Sequence, residues 1–344
     1  MTDRVGIALL GCAHVPHAIS YARAASESPS LRLVAVWDDT PDIAQRVAYQ
    51  FGVPLVASPD ELVAMPGVDA VVVCSATADH RRLIEIAAAA GRHVLSEKPI
   101  ATTLLDARAM VDACARARVQ LHIAFVTRFY PLVQHVRGLI LSGAIGEVRG
   151  LVGGNRGRPP LPPAYPGWIT DASRAGGGAL IDHSVHVTDV MRHVTGLEVA
   201  DVGAEVDSRF WDAVVDDMAL LSLRFTGGAV GSVDPSWSVP ADNPWHYDFY
   251  LRVLGTTGAL VIGDTTESLN VVGAVGRPGQ VLVPFGVDLD ALLLNAFADS
   301  IRAGRVLDPC ADGDDGVRAL EIALAAYRAA DLGRRVALPL DAHG

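Results

Sequence analysis

In this 344-residue chain, Gly176-Gly177-Gly178 leads into Ala179-Leu180-Ile181-Asp182-His183-Ser184-Val185-His186-Val187-Thr188-Asp189. On a helix Asp182 and His186 lie four apart and Asp189 continues the row, so the three share a face. A carboxylate beside an imidazole raises its basicity and fixes its orientation, as a general base requires. The same pair is equally readable as a buried structural contact. A metal reading is weaker. His183 falls on a different part of the helix surface from the Asp182–His186–Asp189–His193 row, and no further cluster completes a ligand shell, so no metal is expected.

Glu97-Lys98-Pro99 follows an apolar run that reads as a strand. At the carboxyl end of a parallel sheet, where open α/β sheets bind ligands, a lysine could stabilise the developing alkoxide of a reacting hydroxyl. Taken alone, the tripeptide also reads as solvated surface. Near the N-terminus, Gly11-Cys12-Ala13-His14-Val15-Pro16 opens into a helix after the first strand. There a dinucleotide's pyrophosphate would meet backbone N–H groups and the positive end of the helix dipole. Against G-x-G-x-x-G only the first glycine is present, with Ala13 second and Pro16 third, so an ordinary strand–helix turn is the alternative. The second strand ends in Asp38-Asp39, where a carboxylate can accept from ribose hydroxyls and repel a 2′-phosphate; NAD is favoured over NADP.

These groups need elements to hold them. Val5–Leu10, Leu31–Trp37, Ala70–Cys74, His93–Leu95 and Leu121–Phe125 read as strands, and Arg81–Ala90 and Leu105–Ala117 carry helical spacing. Near-continuous apolar strands alternating with helices imply a parallel sheet covered on both faces. From about Glu147 the texture changes to longer alternating runs, Val199–Arg209, Asp217–Phe225, Ala229–Trp237 and Phe249–Leu254, joined by turn signals such as Thr226-Gly227-Gly228 and Thr256-Thr257-Gly258. That pattern predicts an antiparallel sheet with one buried face. A helix over Gly316–Ala330 and a strand over Val336–Leu340 close the chain. The division expected is a dinucleotide-binding domain at 1–125 and a substrate-binding and oligomerisation domain at 126–344.

Gly153–Gly167, crowded with Gly and Pro, reads as a long loop that covers a site. It and its surroundings offer Asn155, Arg156, Tyr165 and Trp168 as substrate contacts, Trp168 either stacking on a sugar face or simply packing. The net charge of −11, with no Lys/Arg block, argues against nucleic acid. No apolar run approaches the ~20 residues of a membrane helix. Cys12, Cys74, Cys114 and Cys310 lie far apart, which fits reduced cytoplasmic thiols. Leu9-Leu10-Gly11-Cys12 superficially resembles a lipoprotein site, but the apolar stretch before it is too short for an export signal.

Gly91–Pro99, then Arg128-Phe129-Tyr130-Pro131, then Gly176–Asp189 and the tail Asp315–Tyr327 together resemble the Gfo/Idh/MocA oxidoreductases, over nearly the whole chain. The resemblance implies a Rossmann domain followed by an α+β domain with a large, mainly antiparallel open sheet, and hydride transfer between a sugar or cyclitol hydroxyl carbon and nicotinamide. It implies that Lys98 contacts both the nicotinamide end and the reacting hydroxyl, that His186 is the general acid/base, and that Asp182 holds substrate and supports His186. Gly11, Ala13, His14, Val15, Asp38, Asp39, Ser75, Ala76, His80, Glu97 and Arg128 are the remaining expected cofactor contacts, with Arg128 near cofactor or substrate. Two departures are the altered glycine loop and Ser75-Ala76 where Thr-Pro is usual. Relatives that act as NAD-dependent glycosidases or as non-catalytic nucleotide sensors supply the alternative functions. A homodimer or homotetramer built through the open sheet is expected.

Overall fold

The computed structural model describes residues 4–162, 165–211, 214–240, 242–243, 247–263, 268–274, 277–284 and 286–341. The first part interleaves β1 (Val5–Leu10), α1 (Val15–Glu27), β2 (Leu31–Trp37), α2 (Pro41–Phe51), α3 (Pro59–Ala64), β3 (Ala70–Val73), α4 (His80–Ala89), β4 (His93–Ser96), α5 (Leu104–Ala117) and β5 (Leu121–Ile123). These five strands pair in parallel in the order β5-β4-β3-β1-β2. All six residues of β1 are buried, as a strand covered on both faces must be.

The second part runs α6 (Pro131–Leu141), β6 (Val148–Gly157), α7 (Ala172–Ala175), α8 (Ala179–Thr195), β7 (Val199–Asp207), β8 (Met218–Phe225), β9 (Val230–Ser236), β10 (Tyr247–Gly255) and β11 (Ala259–Ile262). A hairpin of β12 (Ser268–Ala274) and β13 (Arg277–Pro284) precedes α9 (Leu289–Ala303), β14 (Ala311–Asp312), α10 (Gly313–Leu332) and β15 (Val336–Ala337). Seven strands form one sheet, β11-β10-β6-β9-β8-β7-β15, antiparallel except for the β6–β9 pair. Along β8 burial alternates, so one face meets the core and the other stays open. The expected mainly antiparallel open sheet is therefore present.

Two expectations need correction. The glycine-rich stretch does not begin as a loop: Gly153–Gly157 are in β6, paired with Leu251–Tyr247 of β10. A Cβ on Gly153 would lie 2.8 Å from Val187 Cγ1, so the missing side chain lets α8 approach the sheet. Nor does a single cut at residue 125 separate the domains. β14 returns to pair antiparallel with β5, Ala311 opposite Ile123, and Leu293, Leu294 and Phe297 of α9 share a core with β1 and α1. Residues from α9 to β14 thus complete the first sheet's layer, because its edge strand and the outer side of α1 would otherwise be uncovered.

Candidate active site

At the carboxyl ends of the parallel strands, the turn after β1 is fixed by its neighbours. Gly11 N–H donates to Trp37 O at 2.8 Å and His14 N–H to Cys74 O at 2.9 Å. Gly11 has φ +100°, and a Cβ there would lie 2.8 Å from both the backbone N and the Cβ of Ser75. Only glycine fits. Asp38 at the end of β2 is buried, its two carboxylate oxygens accepting from Cys12 N–H at 2.5 Å and Thr40 N–H at 2.7 Å. Asp38 therefore shapes the turn, and the exposed carboxylate beside it is that of Asp39.

A cavity of about 850 Å³ lies between this edge and the second sheet. Its wall includes Lys98, Asp182, His183 and His186. The chain reaches Lys98 from β4, while α8 supplies the other three. The N-terminus of α8 has no capping side chain of its own. Asp216 caps it from afar, accepting Gly178 N–H at 2.9 Å and Leu180 N–H at 2.7 Å, while Tyr327 donates to the same carboxylate at 2.7 Å.

Lys98 Nζ donates to Asp182 Oδ1 at 2.5 Å and to Asp182 O at 3.2 Å. Asp182 Oδ2 accepts Trp237 Nε1–H at 3.1 Å and lies 3.2 Å from His183 Nε2. His183 Nδ1 in turn lies 2.9 Å from Asn155 Oδ1. Burial alone would push the Asp182 carboxyl up, but Lys98 and His183 outweigh it and hold it well below the usual carboxylate range. Burial, then Lys98 and His183, push His186 well below an ordinary imidazole, so its ring is neutral. Its Nδ1 is buried without a hydrogen-bond partner among the described residues.

This arrangement changes the reading of α8. Asp182 braces Lys98 and His183, and its influence on His186 is through space; the expected Asp182–His186 contact is replaced by Asp182–His183. His183 shares the cavity after all, because the cavity wraps around a wider arc of α8 than one stripe. Further along the row, Asp189 is fully buried and takes Arg128 in a bidentate pair, at 2.6 and 2.7 Å. Arg128 also meets Asp315 at 2.9 Å. It is a buried tie between the residues after β5, α8 and α10 and does not line the cavity.

Other expected contacts also divide. Glu97 is buried and bound to His17 at 2.8 Å, Tyr21 Oη at 2.7 Å and its own neighbour's Lys98 N–H at 3.0 Å. Burial opposes its charge, but His17 outweighs that and keeps it ionised, while Glu97 holds His17 above its ordinary value. His80 is buried, its Nδ1 3.1 Å from Ile100 O and its Nε2 without a hydrogen-bond partner among the described residues. Ser75 and Ala76 are buried under the glycine turn; Thr77 reaches the cavity. Ala13 and Val15 lie at the turn and the start of α1. His14, pushed down to about 3 by burial and by His17, lines the cavity in neutral form. Asn155, Tyr165 and Trp168 line it, and Trp168 Nε1–H donates to Ala13 O at 3.1 Å, tying Trp168 to the turn after β1. Arg156 is engaged with Asp248 at 2.6 Å. His17, Thr77, Tyr130 and Arg158 are wall residues that sequence reasoning did not single out. His17 carried one signal, its three-residue spacing from His14 on the first turn of α1.

A parallel sheet with a glycine turn and a lysine after its fourth strand, facing a carboxylate and a neutral imidazole from α8 across one cavity, defines a two-domain nucleotide-dependent dehydrogenase. Comparison with known proteins agrees. Residues 5–125 match the profile described as oxidoreductase family, NAD-binding Rossmann fold, and residues 133–261 match the GFO/IDH/MocA C-terminal domain. The myo-inositol 2-dehydrogenase of Thermotoga maritima is 30% identical over 316 residues, covering 89% of this chain and 91% of that one. The 1,5-anhydro-D-fructose reductase of Ensifer adhaerens is 32% identical over 284 residues, 81% of this chain and 82% of the relative. Among solved structures, GenD2 from gentamicin A biosynthesis in complex with NAD superposes with a TM-score of 0.87 at 25% identity, over 99% of this chain and 98% of that one. The chain belongs to the Gfo/Idh/MocA family of NAD-binding oxidoreductases.

Proposed function

We propose that this protein oxidises one hydroxyl carbon of a sugar or cyclitol, with NAD as the acceptor, and that Lys98, Asp182 and His186 carry the chemistry. The observation behind this reading is that Lys98 and His186, from opposite sides of the interdomain cleft, line one cavity with the lysine braced by Asp182. Neutral His186 accepts the proton of the reacting hydroxyl, and the Lys98 ammonium stabilises the oxygen as charge develops. Asp182 aims Lys98, and His183, steadied by Asn155, holds Asp182 from the other side.

The dinucleotide fits the turn at Gly11, whose approach to Ser75 leaves no room for a side chain. The wall residues His14 and Thr77, with the turn backbone around Ala13 and Val15, are the candidate contacts, and Asp39 with the inward Asp38 favours a free ribose 2′-hydroxyl. Bound there, NAD supplies the hydride acceptor. The reading also includes a homo-oligomer and a cytoplasmic site of action, the latter supported by four cysteines that are all unpaired and buried. No helix among the described residues is long and apolar enough to cross a membrane. A screen of sugars and inositols with NAD and NADP supplied separately, followed at the NADH absorbance, tests the assignment; reduction by at least one polyol with NAD preferred is expected, and reduction by none refutes it.

A further inference from the structure

Most cations in the cavity wall already have a carboxylate. Arg23 meets Asp288 at 2.8 Å, Lys98 meets Asp182 at 2.5 Å, and His17 meets the buried Glu97 at 2.8 Å. The remaining acidic wall residue, Asp290, accepts from Ser20 and has His17, Glu97 and Asp288 as its charged neighbours. Arg158 differs. It lines the same cavity, half-buried, and donates one terminal N–H to the backbone carbonyl of Asn243. Its Nε is buried with no hydrogen-bond partner, and no carboxylate pairs with it among the described residues.

A guanidinium keeps its charge, so a half-buried one with a buried, unpartnered Nε–H and no carboxylate beside it favours an anion that supplies the missing acceptor. Its planar fork fits two oxygens of one carboxylate, with a buried Nε–H as one of the two donors. Position supports the same conclusion. Arg158 directly follows β6, three residues after Asn155, which steadies His183 and through it Asp182. The strand that organises the reacting cluster thus also presents the unmatched cation, and Tyr165 and Trp168 of the following segment offer apolar ring surface beside it.

We propose that Arg158 binds an anionic oxygen group, and that this group is the carboxylate of the substrate, so that the protein acts on a sugar acid in preference to a neutral sugar. This deepens, and rests on, the dehydrogenase reading above. The other source of the same chemistry is the cofactor's pyrophosphate, since Trp168 of the same segment touches Ala13.

Calorimetry on the NAD-loaded protein with D-glucuronate, D-galacturonate and D-gluconate, each beside its neutral counterpart, separates the possibilities. At least one acid is expected to bind ten-fold or more tightly than its neutral partner, and Arg158→Gln is expected to reduce that ratio by about ten- to a hundred-fold, with Arg158→Lys between the two. Equal affinity for acids and neutral sugars in the unaltered protein overturns the proposal. So does an Arg158→Gln protein whose NAD affinity falls while its acid affinity holds, which assigns the anion to the cofactor. Circular dichroism of both variants guards against misfolding. The dehydrogenase reading is scored separately by NADH formation: acid binding that depends on Arg158 without any NADH supports the anion site and refutes the reaction.

Discussion

Lys98 and Asp182 form a partly buried ion pair, 2.5 Å apart, at the point where the two domains face each other. On the proposed reading, the pair leaves His186, whose ring burial and Lys98 keep neutral, to accept the proton. Lys98→Ala and His186→Ala are each expected to lower turnover by about two to four orders of magnitude, with NAD affinity preserved in His186→Ala. Steady-state kinetics with any accepted polyol checks this, and near-normal turnover in both variants places the chemistry elsewhere. Asp182→Asn is expected to have a mixed effect, since it removes the charge bracing Lys98 and a contact of His183 without removing the base. The pH profile follows from the direction of the His186 shift. Because its folded value lies below 6.5, the accepting form persists as pH falls, so the acid limb of kcat/KM should lie below pH 6.5. An acid limb above 6.5 would contradict a base depressed by burial and by Lys98.

At the scale of the element, α8 is the part whose placement sets the site. Its first turn depends on Asp216, and Gly178 has no side chain because a Cβ would lie 1.9 Å from Asp216 O. Asp216→Ala removes the acceptor for two backbone N–H groups and for Tyr327 Oη, and is expected to cost about 1–3 kcal/mol. Urea unfolding measures it. Asp216→Asn retains one acceptor oxygen and should recover part of the loss; an unchanged midpoint in Asp216→Ala would show that water replaces the cap at no cost. The Arg128–Asp189 pair ties α8 farther along to the residues after β5.

At the scale of the whole molecule, the open face of the second sheet stands out. Pairing places Val261, Arg252, Val152, Ser232 and Ser222 in one row, with Leu220, Arg224 and Val230 on the same side. Leu220 is 53% exposed, Val230 55% and Val261 67%, apolar side chains that a second copy would cover. Light scattering at micromolar concentration is expected to give a dimer or tetramer, and Leu220→Glu with Val261→Glu should shift it toward monomer; a monomeric starting protein defeats the idea. A second property is acid sensitivity. Burial holds His14, His122 and His193 at about 3 in the folded chain. The unfolded chain binds protons at these positions from about 6.5 downward, so stability present above that pH is lost as it falls. His17, shifted upward, opposes this as a single group. The melting temperature should therefore decline between pH 6.5 and 5, and a flat profile would count against three imidazoles kept neutral in the fold.

Most of the framework was legible in the sequence. Apolar runs bounded by Gly and Pro gave the five parallel strands to within a residue or two, since burial on both faces leaves a local imprint on residue type. The change to alternating texture located the second sheet, and residue type with spacing marked Lys98, Asp182 and His186. What the tertiary structure decided was which charged group meets which. Asp182 took Lys98, 84 residues away, and its neighbour His183 instead of His186; Arg128 took Asp189, 61 residues away; Glu97 went to His17 and Tyr21. Helical periodicity encodes which side chains share a face, but an ion pair forms only where two distant segments are packed together. Burial then fixes the partner, because a buried charge left alone is too costly to persist.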